Sequence, residues 1–201
     1  MTPVIDYYYS TMSTWTYMGS YAFGELAKRH KARVNHRPMN LLKVFNAGGG
    51  LPLHDRPIQR QKYRKIEMKR WKAYRKILMT LDPAFFPVNP MMADRMIIAA
   101  LEEGIDPSAL ANALMRAVWV EDRNLADDDT LIVIADEQEL DGALLLDLAK
   151  GERAGQVYVR NTDEAIERDV FGAPFYIYEG EPYWGQDRLD LLDGHLALSA
   201  R

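Results

Sequence analysis

The chain has 201 residues, 48% of them hydrophobic and 27% charged, with a net charge of −4: material for one domain of ordinary size, or a domain with a large insertion, around a real core. It has no cysteine, which excludes disulfides, thiolate metal sites, iron–sulfur clusters and any cysteine nucleophile of its own. The acidic balance argues against a molecule built to coat nucleic acid, no stretch approaches the roughly 20 apolar residues of a membrane span, and the basic start and apolar run of a secretion signal are missing; the expectation is a soluble, cytoplasmic protein. The histidines, His30, His36, His54 and His195, lack a metal-ligand spacing such as HxxxH, and no metal is expected.

Residues 3–9 (PVIDYYY) are β-branched and aromatic and predict a buried strand. TWTYMGSYAFGELAKRH follows with helical spacing, and Ser13 stands where an N-cap belongs. Residues 32–42 predict a second strand with a proline-marked end, so the opening is a βαβ unit with a parallel pair. Residues 46–58 are a Gly/Pro-rich loop, residues 57–78 a strongly basic helix, and LDPAFFPVNP is extended. Two helices then start after Asn89-Pro90 and Asp106-Pro107, each with proline in its first turn. Shorter helices cover residues 127–137, 141–150 and 151–168. The end changes character. APFYIYEGEPYWGQ reads as two strands joined by a hairpin at Glu179-Gly180, and QDRLDLLDGHLAL as a closing helix. The order βαβ, helical block, ββα implies a four-stranded mixed sheet with a helical insertion.

Five features could carry chemistry. Ser13, at a strand end and a helix start, sits where free backbone N–H groups and the helix dipole stabilise an anion such as a thiolate; a plain N-cap serine fits the same position. Ala173-Pro174 opens a strand; a cis bond there would present the Ala173 backbone to a peptide-like ligand, while a trans proline would simply start an edge strand. Gln186, Asp187 and Arg188 begin the last helix, where N–H groups suit a carboxylate and Asp187 an ammonium; ordinary capping is the alternative. Between residues 54 and 76 lie ten Lys/Arg against Asp55 and Glu67, so the remainder is 15 against 27. That polarity fits a solvated face, attraction of an anionic ligand, or nucleic-acid binding. Met79, Met91, Met92, Met96, Met115, Phe85, Phe86 and Trp71 supply either core or an adaptable apolar wall over Ser13.

The two ends together resemble a known family. YYYSTMSTWTYMGS is similar to the strand–serine–helix start of the 2-hydroxychromene-2-carboxylate isomerases and kappa-class glutathione transferases, and VFGAPFYIYEGEPYWGQDRLDLLDGHL to their closing segment. NHRPMNLLKVFNAGGGLPL, FPVNP and WVEDRNLADDDTL follow in the same order. The resemblance implies an α/β fold, thioredoxin-like (DsbA-like), with residues 1–45 and 170–201 forming a thioredoxin-like domain and residues 46–169 a mainly helical insertion. Where redox relatives carry CxxC this chain has Ser13-Thr14-Trp15-Thr16, so dithiol exchange by the protein itself is excluded.

The same resemblance implies glutathione as cofactor and Ser13 as the catalytic serine beside its sulfur. Thr14 and Trp15 take neighbouring binding positions, Ala173 before a cis-Pro174 pairs with the cysteinyl unit, and Gln186 and Asp187 bind the γ-glutamyl head. The chain departs from the family at Thr14, usually proline, and at Gly50, usually asparagine; a loop lysine is matched by Arg60 or Lys62. The implied reaction interconverts 2-hydroxychromene-2-carboxylate and trans-o-hydroxybenzylidenepyruvate; charge alone offers Lys43 or Arg60 to attract the carboxylate of such a small aromatic substrate. A homodimer without nucleic-acid or membrane partners is implied too. A kappa-like transferase or peroxidase acting on another electrophile, and a non-catalytic glutathione- or peptide-binding relative, are the alternatives.

Overall fold

The computed structural model describes residues 2–199. Strand β1 (Val4–Tyr9) is central, with β2 (Arg33–Pro38) parallel on one side and β3 (Phe175–Tyr178) antiparallel on the other. Strand β4 (Glu181–Trp184) closes the sheet in the order β2-β1-β3-β4. The β3–β4 loop is only Glu179-Gly180, with φ of 51° and 83°. Positive φ at both central residues is what a tight hairpin needs to match strand twist, and glycine adopts it without a Cβ penalty.

Alternation along β1 explains how three consecutive tyrosines are all buried. Ile5, Tyr7 and Tyr9 face one core with Tyr176 and Tyr178, while Tyr8 faces the other with Phe175 and Ile177. Both faces of β1 and β3 are covered, so these two strands read as near-continuous apolar runs rather than alternating ones, whereas β2 and β4 stay polar. Tyr7 stacks on Tyr9 at 4.3 Å and on Tyr176 at 5.1 Å between ring centroids, and Phe23 of the first helix caps the stack at 4.6 Å from each of Tyr7 and Tyr176.

Helix α1 (Thr14–Arg29) connects β1 to β2. The second strand stops at Pro38, four residues before the predicted end at residue 42. The remainder begins α2 (Leu41–Ala47), because Asn40 caps it through its side chain onto the Lys43 N–H. Proline ends the ladder, and asparagine offers the chain a helix start that apolar composition alone did not reveal.

The basic helix is α3 (Ile58–Arg75), and the helical block comprises α4 (Met91–Glu102), α5 (Ser108–Trp119), α6 (Asp128–Asp136), α7 (Gly142–Lys150) and α8 (Glu152–Glu167). Pro90 and Pro107 stand one position outside α4 and α5, while the Asn89 and Asp106 side chains accept from the Met91 and Ser108 N–H groups. The block packs onto the sheet's first core, so Met96, Ile97, Leu114 and Trp119 share a cluster with Ile5 and Tyr9. A 3-10 helix at Gln186–Arg188 leads into α9 (Leu189–Ser199). Among the described residues, no helix is long and apolar enough to cross a membrane.

One close approach fixes where the chain's last segment meets α1. A Cβ on Gly19 would lie 2.5 Å from the Gln186 Cβ, so only glycine lets the 3-10 helix sit against α1. Gly19→Ala should therefore destabilise the fold by about 1–3 kcal/mol, since overpacking outweighs the roughly 1 kcal/mol gained in helix propensity. Urea unfolding checks the sign; a neutral or stabilising result would mean the contact yields freely.

Candidate functional site

The site grows from the first turn of α1. Ser13 is the N-cap: its Oγ accepts from the Thr16 N–H at 3.2 Å and its carbonyl from the Tyr17 N–H at 3.0 Å. That leaves the Thr14 and Trp15 N–H groups without intrahelical acceptors, at the positive end of a 16-residue dipole. The Ser13 hydroxyl also points at the Ala173 carbonyl, 3.4 Å away, across the start of β3. The Ala173-Pro174 bond is cis, and the Pro174 carbonyl accepts from the Gly185 N–H at 2.9 Å. Gly185, at φ 99°, turns the chain into the 3-10 helix that carries Gln186 and Asp187. Ser13, Thr14, Ala173, Pro174 and Gln186 are all buried; Trp15 is half-buried and packs on the core.

Helix α3 crosses this end of α1 and presents one stripe: Arg64, Met68, Trp71 and Arg75, at helical spacing. Arg64 donates from Nη2 to the Thr14 hydroxyl and from Nη1 to Met68 Sδ, and its guanidinium lies over the Phe86 ring, 5.4 Å from the centroid. Burial, with Arg56 nearby, lowers this guanidinium to about 10, which still leaves it charged at neutral pH. Arg75 grips Gln186 twice, Nε to the side-chain oxygen at 2.5 Å and Nη2 to the carbonyl at 2.7 Å, and lies over Trp71. The basic helix thus turns Arg64 and Arg75 toward the α1 terminus and Lys72 onto the Met79 carbonyl at 2.6 Å, while Lys62, Lys65, Lys69 and Arg70 are exposed.

Below the loop that ends in Ser13 lies Asp94 of α4, fully buried. Its Oδ1 accepts from the Thr11 N–H and hydroxyl, each at 2.8 Å, and its Oδ2 from the Ser10 hydroxyl at 2.9 Å. The Ser13 N–H in turn donates to the Ser10 carbonyl at 2.9 Å. Asp94 therefore pins the turn between β1 and α1. Burial pushes its carboxyl up to about 7 despite those hydrogen bonds.

The residues singled out in sequence are not all drawn together. Ser13, Thr14, Ala173, Pro174 and Gln186 meet at the α1 terminus. Asp187 is partly exposed and bonded to Arg188 at 2.7 Å. Gly50 lies at the end of the α2 loop, its N–H on the Phe45 carbonyl at 2.7 Å, where a Cβ would come within 3.2 Å of the Phe45 ring. Lys43 is exposed and pairs with Asp163 at 2.7 Å. Arg60 is exposed on α3, one turn before Arg64. Of the apolar set, Met79, Met96 and Met115 are core, Trp71 and Phe86 are half-buried, and Phe85 and Met91 are exposed. Recesses of about 730 and 970 Å³ lie along α8 and between α1, β2 and α5; neither includes Ser13. Arg64 and Arg75 belong to the ten cations for which the sequence offered attraction of an anionic ligand but were not singled out among them, and Asp94 was not anticipated. The signal for the first two was the Arg64–Met68–Trp71–Arg75 stripe, hidden within a run of like charges.

A βαβ unit, a ββα unit, a cis-proline opposite the first helix terminus and a helical block between them define a thioredoxin-class fold with a helical insertion. The DSBA-like thioredoxin domain matches residues 4–197, and the chain belongs to that family. It is 26% identical over 198 residues to the 2-hydroxychromene-2-carboxylate isomerase of Sphingobium xenophagum, covering 98% of this chain and 99% of that one. To the protein of that name from Pseudomonas putida it is 25% identical over 201 residues, covering 98% and 96%. Among solved structures, a 2-hydroxychromene-2-carboxylate isomerase superposes with a TM-score of 0.86 at 23% identity, covering 98% and 96%. The cytosolic disulfide reductase DsbM of Pseudomonas aeruginosa, solved with GSH, gives 0.70 at 16%, covering 98% and 99%.

Asp94 supplies a test of the geometry. Its folded value of about 7 stands above the ordinary 3.8, so between these values the folded chain holds a proton that the unfolded chain has lost. Its contribution to stability is therefore full at low pH and falls as pH rises toward 7, by at most about 1.4 kcal/mol per pH unit. Asp94→Asn keeps an oxygen for Thr11 and offers an N–H to Ser10, mimicking the protonated form. Urea unfolding from about pH 5 to about pH 8 should show the variant gaining on the parent up to about pH 7 and levelling off above it. A constant difference would place the proton elsewhere.

Proposed function

We propose that this chain is a glutathione-dependent isomerase acting on a small aromatic carboxylate of the 2-hydroxychromene-2-carboxylate type. The observation that carries the reading is the α1 terminus: a cysteine-free helix start with a serine hydroxyl at the cap and two N–H groups without intrahelical acceptors beside it. That donor set suits an anionic sulfur brought in from outside, because a thiolate needs hydrogen-bond donors and positive potential and the chain has no thiol of its own. The names of the full-length relatives supply the reaction class, and GSH in the DsbM structure supplies the precedent for the cofactor on this fold.

Bound glutathione would supply a thiolate that adds reversibly to the conjugated carbon of the substrate, so that the double bond becomes single, turns, and re-forms as the same thiolate leaves. The protein does the rest. The Ser13 hydroxyl swings from the Ala173 carbonyl to donate to the sulfur, and the Thr14 and Trp15 N–H groups and the α1 dipole hold the charge. The Ala173 backbone opposite Ser13 pairs with the cysteinyl unit. The 3-10 turn of Gln186 and Asp187 takes the γ-glutamyl head, Asp187 facing its ammonium and Arg75 holding Gln186 in place.

Turnover of 2-hydroxychromene-2-carboxylate with and without glutathione tests this directly. Ser13→Ala should lower kcat by about 10²–10³-fold, the usual effect of removing one donor to a developing anion, while glutathione affinity measured by calorimetry falls much less. Turnover independent of glutathione, or of Ser13, would overturn the reading.

A further inference from the structure

Arg64 is a cation whose surroundings go beyond holding helices together. Its hydrogen-bond partners are a hydroxyl and a thioether, not a carboxylate. The nearby acids are engaged elsewhere: Glu67 by Arg70 and Asp82 by Lys65, each at 2.5 Å. The side chain is half-buried, and its guanidinium carbon lies over the Phe86 ring, 5.4 Å from the centroid, with Phe86 packed in turn on Trp119 at 4.9 Å. A guanidinium has five N–H donors, and two partners leave most of them free. Thr14, its anchor, is also the residue whose own N–H is unpaired at the α1 terminus. A charged fork with free donors therefore stands beside free helix N–H groups, against an aromatic ring. Desolvating a cation without an opposite charge is costly unless a ligand completes it.

We propose that Arg64 is a specificity-determining residue of the Ser13 site: its guanidinium binds the carboxylate of the ligand seated there, with the Phe86 face beside the ligand's apolar body. The inference rests on the reading that Ser13 marks the reaction centre. Two carboxylates have the required chemistry, that of the aromatic substrate and the glycyl end of glutathione. In both cases the planar fork would engage two oxygens at once, which a lysine cannot reproduce. The role that sequence suggested for Lys43 or Arg60 passes to Arg64, the cation that the fold places beside Thr14.

The test compares acids with their neutral amides by calorimetry, on the whole protein and without turnover. One arm uses trans-cinnamate and cinnamamide; the other uses glutathione and its glycine amide. In the parent, at least one arm should favour the acid by about tenfold or more, the scale of a charge-assisted pair. Arg64→Gln should remove most of that preference while leaving amide affinity unchanged, and the arm that responds identifies the carboxylate. Arg64→Lys should retain part of it, and serves if the glutamine variant unfolds. Equal acid-to-amide ratios in the parent and both variants, or no acid preference in the parent, would overturn the proposal and leave Arg64 as a strut between α3 and α1. Failure of the glutathione reading has a different signature: glutathione and its amide would both fail to bind, whatever stands at position 64.

Discussion

The structure depends on one constraint: the first turn of α1 must stay open at its N-terminus. Ser13 satisfies one amide and leaves its neighbours free, and every surrounding element holds that end in position. Asp94 ties down the turn before it, the Ala173 carbonyl faces it from β3, and Gly19 admits the Gln186 turn alongside. A helix end left with unpaired donors inside a protein is expensive. Here it is kept, and buried polar groups are used to keep it.

The absence of cysteine and this geometry belong together. In a thioredoxin-class fold the helix terminus stabilises a thiolate that the chain carries. This chain places a serine there and still supplies the donors, the dipole and two inward-turned arginines. On the proposed reading, the charge that these groups hold arrives with a ligand. The arginines also explain the electrical asymmetry of the sequence: a helix with a surplus of cations sets two of them at the site and leaves others in solvent.

Much of this was legible beforehand because the local signals agreed with the global fold. Tyr7-Tyr8-Tyr9 marked a strand buried on both faces, Ser13 marked the cap, and Glu179-Gly180 marked the hairpin. Helix α2 escaped because Asn40 decides it, and a single capping side chain carries less weight in sequence than the apolar run Leu41-Leu42 beside it. Arg64, Arg75 and Asp94 escaped for another reason. Each acts across 50 or more positions of sequence, Arg64 on Thr14, Arg75 on Gln186 and Asp94 on Thr11. Their charges resemble those of neighbours that face water. Only the crossing of α3 over α1, and the packing of α4 under the β1 turn, separates the inward-turned cations and the buried acid from the solvated ones.

The central claim is that the α1 terminus stabilises a borrowed thiolate. The most direct measurement is the thiol pKa of glutathione bound to the protein, read from its ultraviolet thiolate absorbance as pH is varied. The account predicts a value at least about one unit below the ordinary thiol value near 8.5, moving back toward it in Ser13→Ala. A bound thiol that titrates at its ordinary value in the unaltered protein would contradict the account.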